Sequence, residues 1–150
     1  MSGSSYKRGL EISTHEITLN CRRISKGRVK GEALVTRQPM GFFGGVDELT
    51  GLVTDKNHEL RGRSVTDRIL VFPVAKGSAG GSYALGKMVS HQTGPAGIIN
   101  LRADPILAVS AIIANVPMVV VSDEKDLEKM QTGDHVELDA DNCLIQVRRP

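Results

Sequence analysis

Three short apolar runs in the second half of the chain, each followed by a helix-forming stretch, constrain this sequence more than anything else in it. Arg68-Ile69-Leu70-Val71-Phe72-Pro73, Ala96-Gly97-Ile98-Ile99-Asn100-Leu101 and Met118-Val119-Val120-Val121 are nearly continuous in apolar residues, the pattern of strands covered on both faces. After the first run, residues 82–91 place Leu85, Met88 and Val89 at i, i+3 and i+4 behind Ser82 as a cap. After the second, Asp104 offers a capping oxygen and Pro105 stands at the first helical position, where a missing N–H is no loss. Pro117 stops that helix, and residues 123–130 read as a third. Parallel strands need crossover helices, so the order β-α-β-α-β-α predicts an α/β fold with a small parallel sheet core and helices against it.

The first half reads as strands and turns. Ile17, Leu19 and Cys21 alternate with Thr18, Asn20 and Arg22, a half-buried strand. Residues 31–36 read as the next strand. A glycine-rich passage follows, Pro39-Met40-Gly41-Phe42-Phe43-Gly44-Gly45, where phenylalanines sit among residues that allow close backbone approach. The chain closes on a hairpin, residues 135–138 and 144–147 around an Asp139-Ala140-Asp141-Asn142 turn. These antiparallel strands are expected to flank the parallel core in one domain spanning residues 15–150, behind a polar, flexible tail at residues 1–14.

Composition excludes several functions. A formal net charge of +2, no tryptophan and only five aromatic residues give neither the basic surface nor the stacking platform of a nucleic-acid binder. The apolar stretches fall short of the roughly 20 residues of a membrane span. Cys21 and Cys143 stand too far apart in sequence for a zinc motif and are too few for a disulfide framework, so they read as packing residues of a reduced, cytoplasmic chain. His15, His58, His91 and His135 are scattered and read as surface or capping residues, with His58 the one to test. No metal site is expected in this chain.

The most unusual segment is Ala75-Lys76-Gly77-Ser78-Ala79-Gly80-Gly81-Ser82-Tyr83, between a buried strand and a helix. In open α/β sheets the carboxyl end of a strand is where ligands bind. Glycines let the backbone bare its N–H groups, and the helix start adds partial positive charge suited to a carboxylate or phosphate. The segment does not match a Walker A loop, a dinucleotide fingerprint or a serine-hydrolase elbow, which needs glycine where Lys76 stands. On spacing alone, a strand-to-helix turn and an anion site both remain open.

The order of several motifs carries a resemblance: Gly-Glu-Ala-Leu-Val (31–35), Phe-Phe-Gly-Gly-Val-Asp (42–47), Thr-Gly (50–51), Gly-Arg-Ser-Val (62–65), Ile-Leu-Val-Phe-Pro (69–73), Lys-Gly-Ser-x-x-Gly-Ser-Tyr (76–83) and Ala-Ile-Ile-Ala (111–114). Together they resemble the small, swivelling-domain subunit of the aconitase-X family. The resemblance implies a swivelling β/β/α domain and a role in a two-chain hydro-lyase. In that family a large catalytic subunit carries an iron or iron–sulfur centre and the small chain supplies a catalytic serine, which here matches Ser78. Lys76, Gly77, Gly80, Gly81 and Ser82 are the expected binding residues for a small anionic substrate. Phe42, Phe43, Gly44, Gly45 and Asp47 are expected at the active-site mouth or subunit interface. Members of the family dehydrate 5-phosphomevalonate or cis-3-hydroxyproline, and the Ser78, Gly81, Ser82 and Tyr83 pattern favours the first. Two departures stand out: Ala79 and Gly80 replace threonine and valine, and Gly41 stands where serine is common before the first aromatic.

Overall fold

The computed structural model describes residues 16–76 and 81–150, with Gly81 and Ser82 given by their backbone alone. The tail at residues 1–14 lies outside the described residues. Elements run β1 (Glu16–Asn20), β2 (Arg22–Ser25), β3 (Arg28–Val35), β4 (Ile69–Val71), α1 (Gly81–Ser90), β5 (Gly97–Asn100), α2 (Pro105–Ala114), β6 (Met118–Val120), α3 (Glu124–Glu128), β7 (His135–Asp139) and β8 (Leu144–Arg148).

The three apolar runs form the predicted parallel core, β4, β5 and β6 pairing side by side. The mixed sheet has the order β1-β8-β7-β3-β4-β5-β6-β2. β1 and β2 stand at opposite ends of that order, yet Cys21 alone separates them in sequence. The sheet therefore curls until its two ends meet, as in a barrel. The alternation of Ile17, Leu19 and Cys21 predicts one strand through Cys21, but two strands meet there. The chain changes partner at that residue, from β8 to β6, and the Cys21 N–H donates to the Cys143 carbonyl at 3.1 Å. Burial first, and then electrostatic repulsion from neighbouring groups such as the Asp139 carboxylate, pushes the Cys21 thiol up to about 12.

β3 joins the antiparallel and parallel halves. Residues 28–32 pair antiparallel with β7, and residues 33–35 pair parallel with β4. At the change of partner, Arg68 donates from Nε to the Glu32 carbonyl and from Nη2 to that of Ala33. β3 starts earlier than the expected residue 31 because its first half has one wet face and shows little apolar patterning.

Two cores lie on opposite faces of the parallel strands. Inside the barrel, Ile69, Val71, Ile99 and Val119 pack with Leu19, Val136, Leu138, Ile145 and Val147, and Leu127 and Met130 join them from the segment of α3. Outside, Leu34, Leu70, Ile98 and Met118 pack under Leu85 and Met88 of α1 and Leu107 and Ala111 of α2. α2 has the expected start: Asp104 accepts from the Leu107 N–H at 3.0 Å and Pro105 is the first helical residue. Asn115, in a left-handed conformation, ends it two residues before Pro117. α1 begins one residue before Ser82, which thus sits in its first turn and not at its cap. α3 is shorter than residues 123–130, with Asp123 as its cap.

Gly27 shows how tightly the barrel seam is built. It turns the chain from β2 into β3 at φ +129°, and a Cβ there would come 2.7 Å from Pro117 Cγ. Both backbone strain and overlap oppose a side chain. Gly27→Ala is expected to lower the unfolding free energy by about 1–3 kcal/mol, read from a denaturant melt; an unchanged melt contradicts this account of the seam.

Candidate functional site

The parallel strands end at one rim, and the segments leaving them are tied together by backbone bonds. Thr36 N–H donates to the Val71 carbonyl, Phe72 N–H to that of Ile99, and both Leu101 and Arg102 N–H groups to that of Pro73. Beneath the rim, fully buried Asn100 donates from Nδ2 to the Phe72 carbonyl at 2.8 Å. The exit of β4 is thus held from both sides before the chain reaches Lys76. Ser78, Gly77 and Gly80 lie outside the described residues, but the ends of their segment are placed: Lys76 at the rim, and Gly81 and Ser82 in the first turn of α1.

The glycine-rich passage lies along this exit. Lys76 N–H donates to the Met40 carbonyl at 2.8 Å, and Met40 N–H to that of Val74 at 3.3 Å. A Cβ on Gly41 would come 2.7 Å from the Lys76 carbonyl oxygen, and one on Gly45 would meet the Gly41 carbonyl oxygen at 2.2 Å. Glycine at 41 and 45 is therefore a packing requirement. The neighbouring Gly44 has φ +78° with open space where a Cβ would sit.

The two phenylalanines separate. Phe42 is buried and meets Phe72 edge-on, ring centroids 6.3 Å apart. It is a plug under the β4 exit and not part of an exposed mouth or interface, whereas Phe43 is 61% exposed. Asp47 turns its carboxylate to its own loop, accepting from the Leu49 N–H at 2.8 Å.

Lys76 meets Asp55, Nζ to Oδ2 3.1 Å. Asp55 also accepts from the Asn57 N–H at 3.0 Å. That backbone bond first and the Lys76 ammonium second hold its carboxyl below the usual 3.8. Both Thr54 and Asp55 N–H groups donate to the Gly45 carbonyl, so the glycine loop, the Asp55 turn and Lys76 form one unit. No local pattern marks Asp55 as the partner of Lys76, because the two stand 21 positions apart.

His58, read as a surface or capping residue, follows in the same turn and is buried. Its Nδ1 accepts from the Leu60 N–H at 3.1 Å. The acceptor role of Nδ1 leaves the proton of the neutral ring on Nε2, which has no hydrogen-bond partner among the described residues. Glu59 on the next position accepts from Thr36 Oγ1, fastening the turn to the end of β3. His91 and His135 are exposed and outside this cluster.

No group of three or more His, Cys, Asp or Glu side chains among the described residues is arranged to hold a metal ion. The donor set of these residues does not fit an iron centre. No helix among them is long and apolar enough to cross a membrane. Clefts of about 330 and 510 Å³ lie on the barrel wall among β1, β3, β7 and β8, away from the exit of β4.

A family profile described as the aconitase X swivel domain matches residues 18–147. The chain belongs to the aconitase X swivel family. Its relatives include the phosphomevalonate dehydratase small subunit of Archaeoglobus fulgidus, 45% identical over 127 residues, which are 85% of this chain and 96% of that one. The protein of the same name from Methanothermobacter thermautotrophicus is 45% identical over 85% of this chain and 98% of its own length. Among solved structures, the crystal structure of Thermococcus kodakaraensis aconitase X in its holo-form superposes with a TM-score of 0.83 at 41% identity, covering 87% of this chain and 98% of that chain. A UPF0107 protein solved by solution NMR gives 0.81 at 44% identity. The swivel fold inferred from the motif order is thus the observed one.

The lowered Asp55 carboxyl sets a pH window. A carboxylate depressed in the folded state stabilises the fold above its unfolded value, and that contribution fades as pH falls through the folded one. Asp55→Asn is expected to melt below wild type near neutral pH, with the gap closing once pH drops well under 3.8. Thermal melts across pH 2–7 read this; a gap that stays constant to the acid end contradicts the pairing.

Proposed function

We propose that this chain is the small subunit of a phosphomevalonate dehydratase, a two-chain hydro-lyase that removes water from 5-phosphomevalonate to give trans-anhydromevalonate phosphate. The observation that carries this reading is the exit of β4 at a rim where Lys76 and the start of α1 bracket Ser78, in a chain 45% identical to a subunit of that name over nearly its whole length.

The chemistry suits such a rim. Dehydration of a 3-hydroxy acid takes a proton from the carbon beside the carboxylate; the freed electron pair becomes the new double bond as hydroxide leaves the next carbon. Ser78 receives the proton. A serine hydroxyl is too weak a base on its own, so its alkoxide needs oriented N–H groups and nearby positive charge. The first turn of α1 offers backbone N–H groups that have no partner within the helix and the positive end of its dipole, and no acidic residue stands in that turn to oppose them. Lys76 adds an ammonium that Asp55 keeps oriented, and a phosphate or carboxylate of the substrate competes with Asp55 for it.

The rest of the active site belongs to the large subunit, including the iron centre expected there, which assists departure of the hydroxyl group when bound. Phe43 and the exposed turn at Gly44 are assigned to the mouth between the chains. The chain acts in the cytoplasm and is inactive by itself.

The test is coexpression with the large subunit and assay of both 5-phosphomevalonate and cis-3-hydroxyproline. The expected result is turnover of the phosphorylated acid only by the pair. Ser78→Ala is expected to lower turnover at least about a hundredfold with the complex still assembled. Near-native turnover by that variant rejects Ser78 as the base; turnover of hydroxyproline alone rejects the substrate; turnover by the small chain alone rejects the shared site.

A further inference from the structure

α1 and α2 lie side by side on the outer face of the parallel strands, and these two ten-residue helices carry one charged side chain between them, Lys87. α2 has none, and its one polar side chain, Ser110, is buried and donates to the Ile106 carbonyl. One side is buried: Leu107 and Ala111 face the sheet. On the other, Ile106, Val109 and Ile113 stand at i, i+3 and i+7 with Ile112 beside them, 38, 52, 75 and 54% exposed. Surface helices of soluble domains normally turn charged residues outward, and a helix apolar all round is one that something covers. Among the described residues, every large exposed hydrophobic side chain lies on these helices or on the loop of residues 43–52. The opposite wall is ordinary solvent surface: Lys30, Glu137, Gln146 and Arg148 line its clefts.

Chain order fixes where this apolar layer sits. α1 and α2 both start where parallel strands end, at the rim that holds Lys76, and Tyr83, 73% exposed, stands in the first turn of α1. The layer is therefore continuous with the edge that a shared active site must present to its other chain, while the charged barrel wall faces away.

We infer that the exposed face of α2, with Tyr83 at its upper edge, is the surface on which the large subunit docks. This rests on the small-subunit reading above. The occupant is argued from that continuity and from the lack of charge, which suits a lasting apolar contact. Anchoring beside the rim also sets the orientation in which Ser78 meets the other half of the site, through a face that takes no part in the chemistry.

The experiment uses the full chain and the coexpressed large subunit. Val109→Asp with Ile113→Asp is expected to weaken binding at least about tenfold, read by size-exclusion co-elution and titration calorimetry, while the isolated variant keeps its circular dichroism and melting temperature. If that pair of charges unfolds the chain, Ile113→Ser, whose side chain is three-quarters exposed, gives the reading instead. Lys30→Glu on the barrel wall is the control and leaves affinity unchanged. Wild-type affinity in the folded variants overturns the docking surface and leaves the small-subunit reading standing. Failure of the wild-type chain to bind any large subunit contradicts both. A wild-type chain that elutes alone as a dimer, and that Ile113→Asp splits, assigns the face to a second copy and overturns the proposal.

Discussion

The continuity of β3 governs the rest of this structure. One eight-residue strand pairs antiparallel with β7 over its first half and parallel with β4 over its second. The antiparallel barrel and the crossover layer are thereby one sheet with a common register. Arg68 donates to the Glu32 and Ala33 carbonyls at the change of partner, and the Gly133 N–H also donates to the Ala33 carbonyl, so the backbone acceptors stay met where the strand leaves one neighbour for another. From that register the carboxyl ends of β3 and β4 fall level, and Thr36 and Phe72 leave the sheet side by side. A site assembled from loops needs such a rigid base.

The rim shows how a fold dominated by packing positions chemistry. Phe42 fills the space beneath Phe72, Asn100 holds the Phe72 carbonyl, and Gly41 lets the neighbouring loop lie against the Lys76 carbonyl. Lys76 reaches the rim already oriented by Asp55. Positive charge and a helix start converge at one place.

What could be read from the sequence was the part encoded locally. Asp104-Pro105 names its own helix start because cap and first residue are neighbours, and the three apolar runs announce themselves because both of their faces are buried. The corner at Cys21 was illegible, since Arg22–Ser25 is a strand only by pairing with β6, about a hundred residues later. Residues 28–30 of β3 fall outside the strand read at 31–36 because one face of them is wet. The glycine loop was visible, but the opposite fates of Phe42 and Phe43 depend on Phe72, which comes from another element. His58 looked like a surface turn residue until burial showed its ring folded back onto Leu60. The motif order carried the family, and the residues at the site then depended on contacts such as Lys76 with Asp55 that spacing does not encode.

The central claim is that the rim and the helix layer beside it are one surface made for a second chain. Hydrogen–deuterium exchange of this protein, free and bound to its large subunit, tests that most directly. The account predicts slowed exchange on binding in residues 40–47, 83–90 and 105–114, with β7 and β8 unchanged. Protection confined to the β7–β8 wall, with those three segments exchanging as in the free chain, would contradict it.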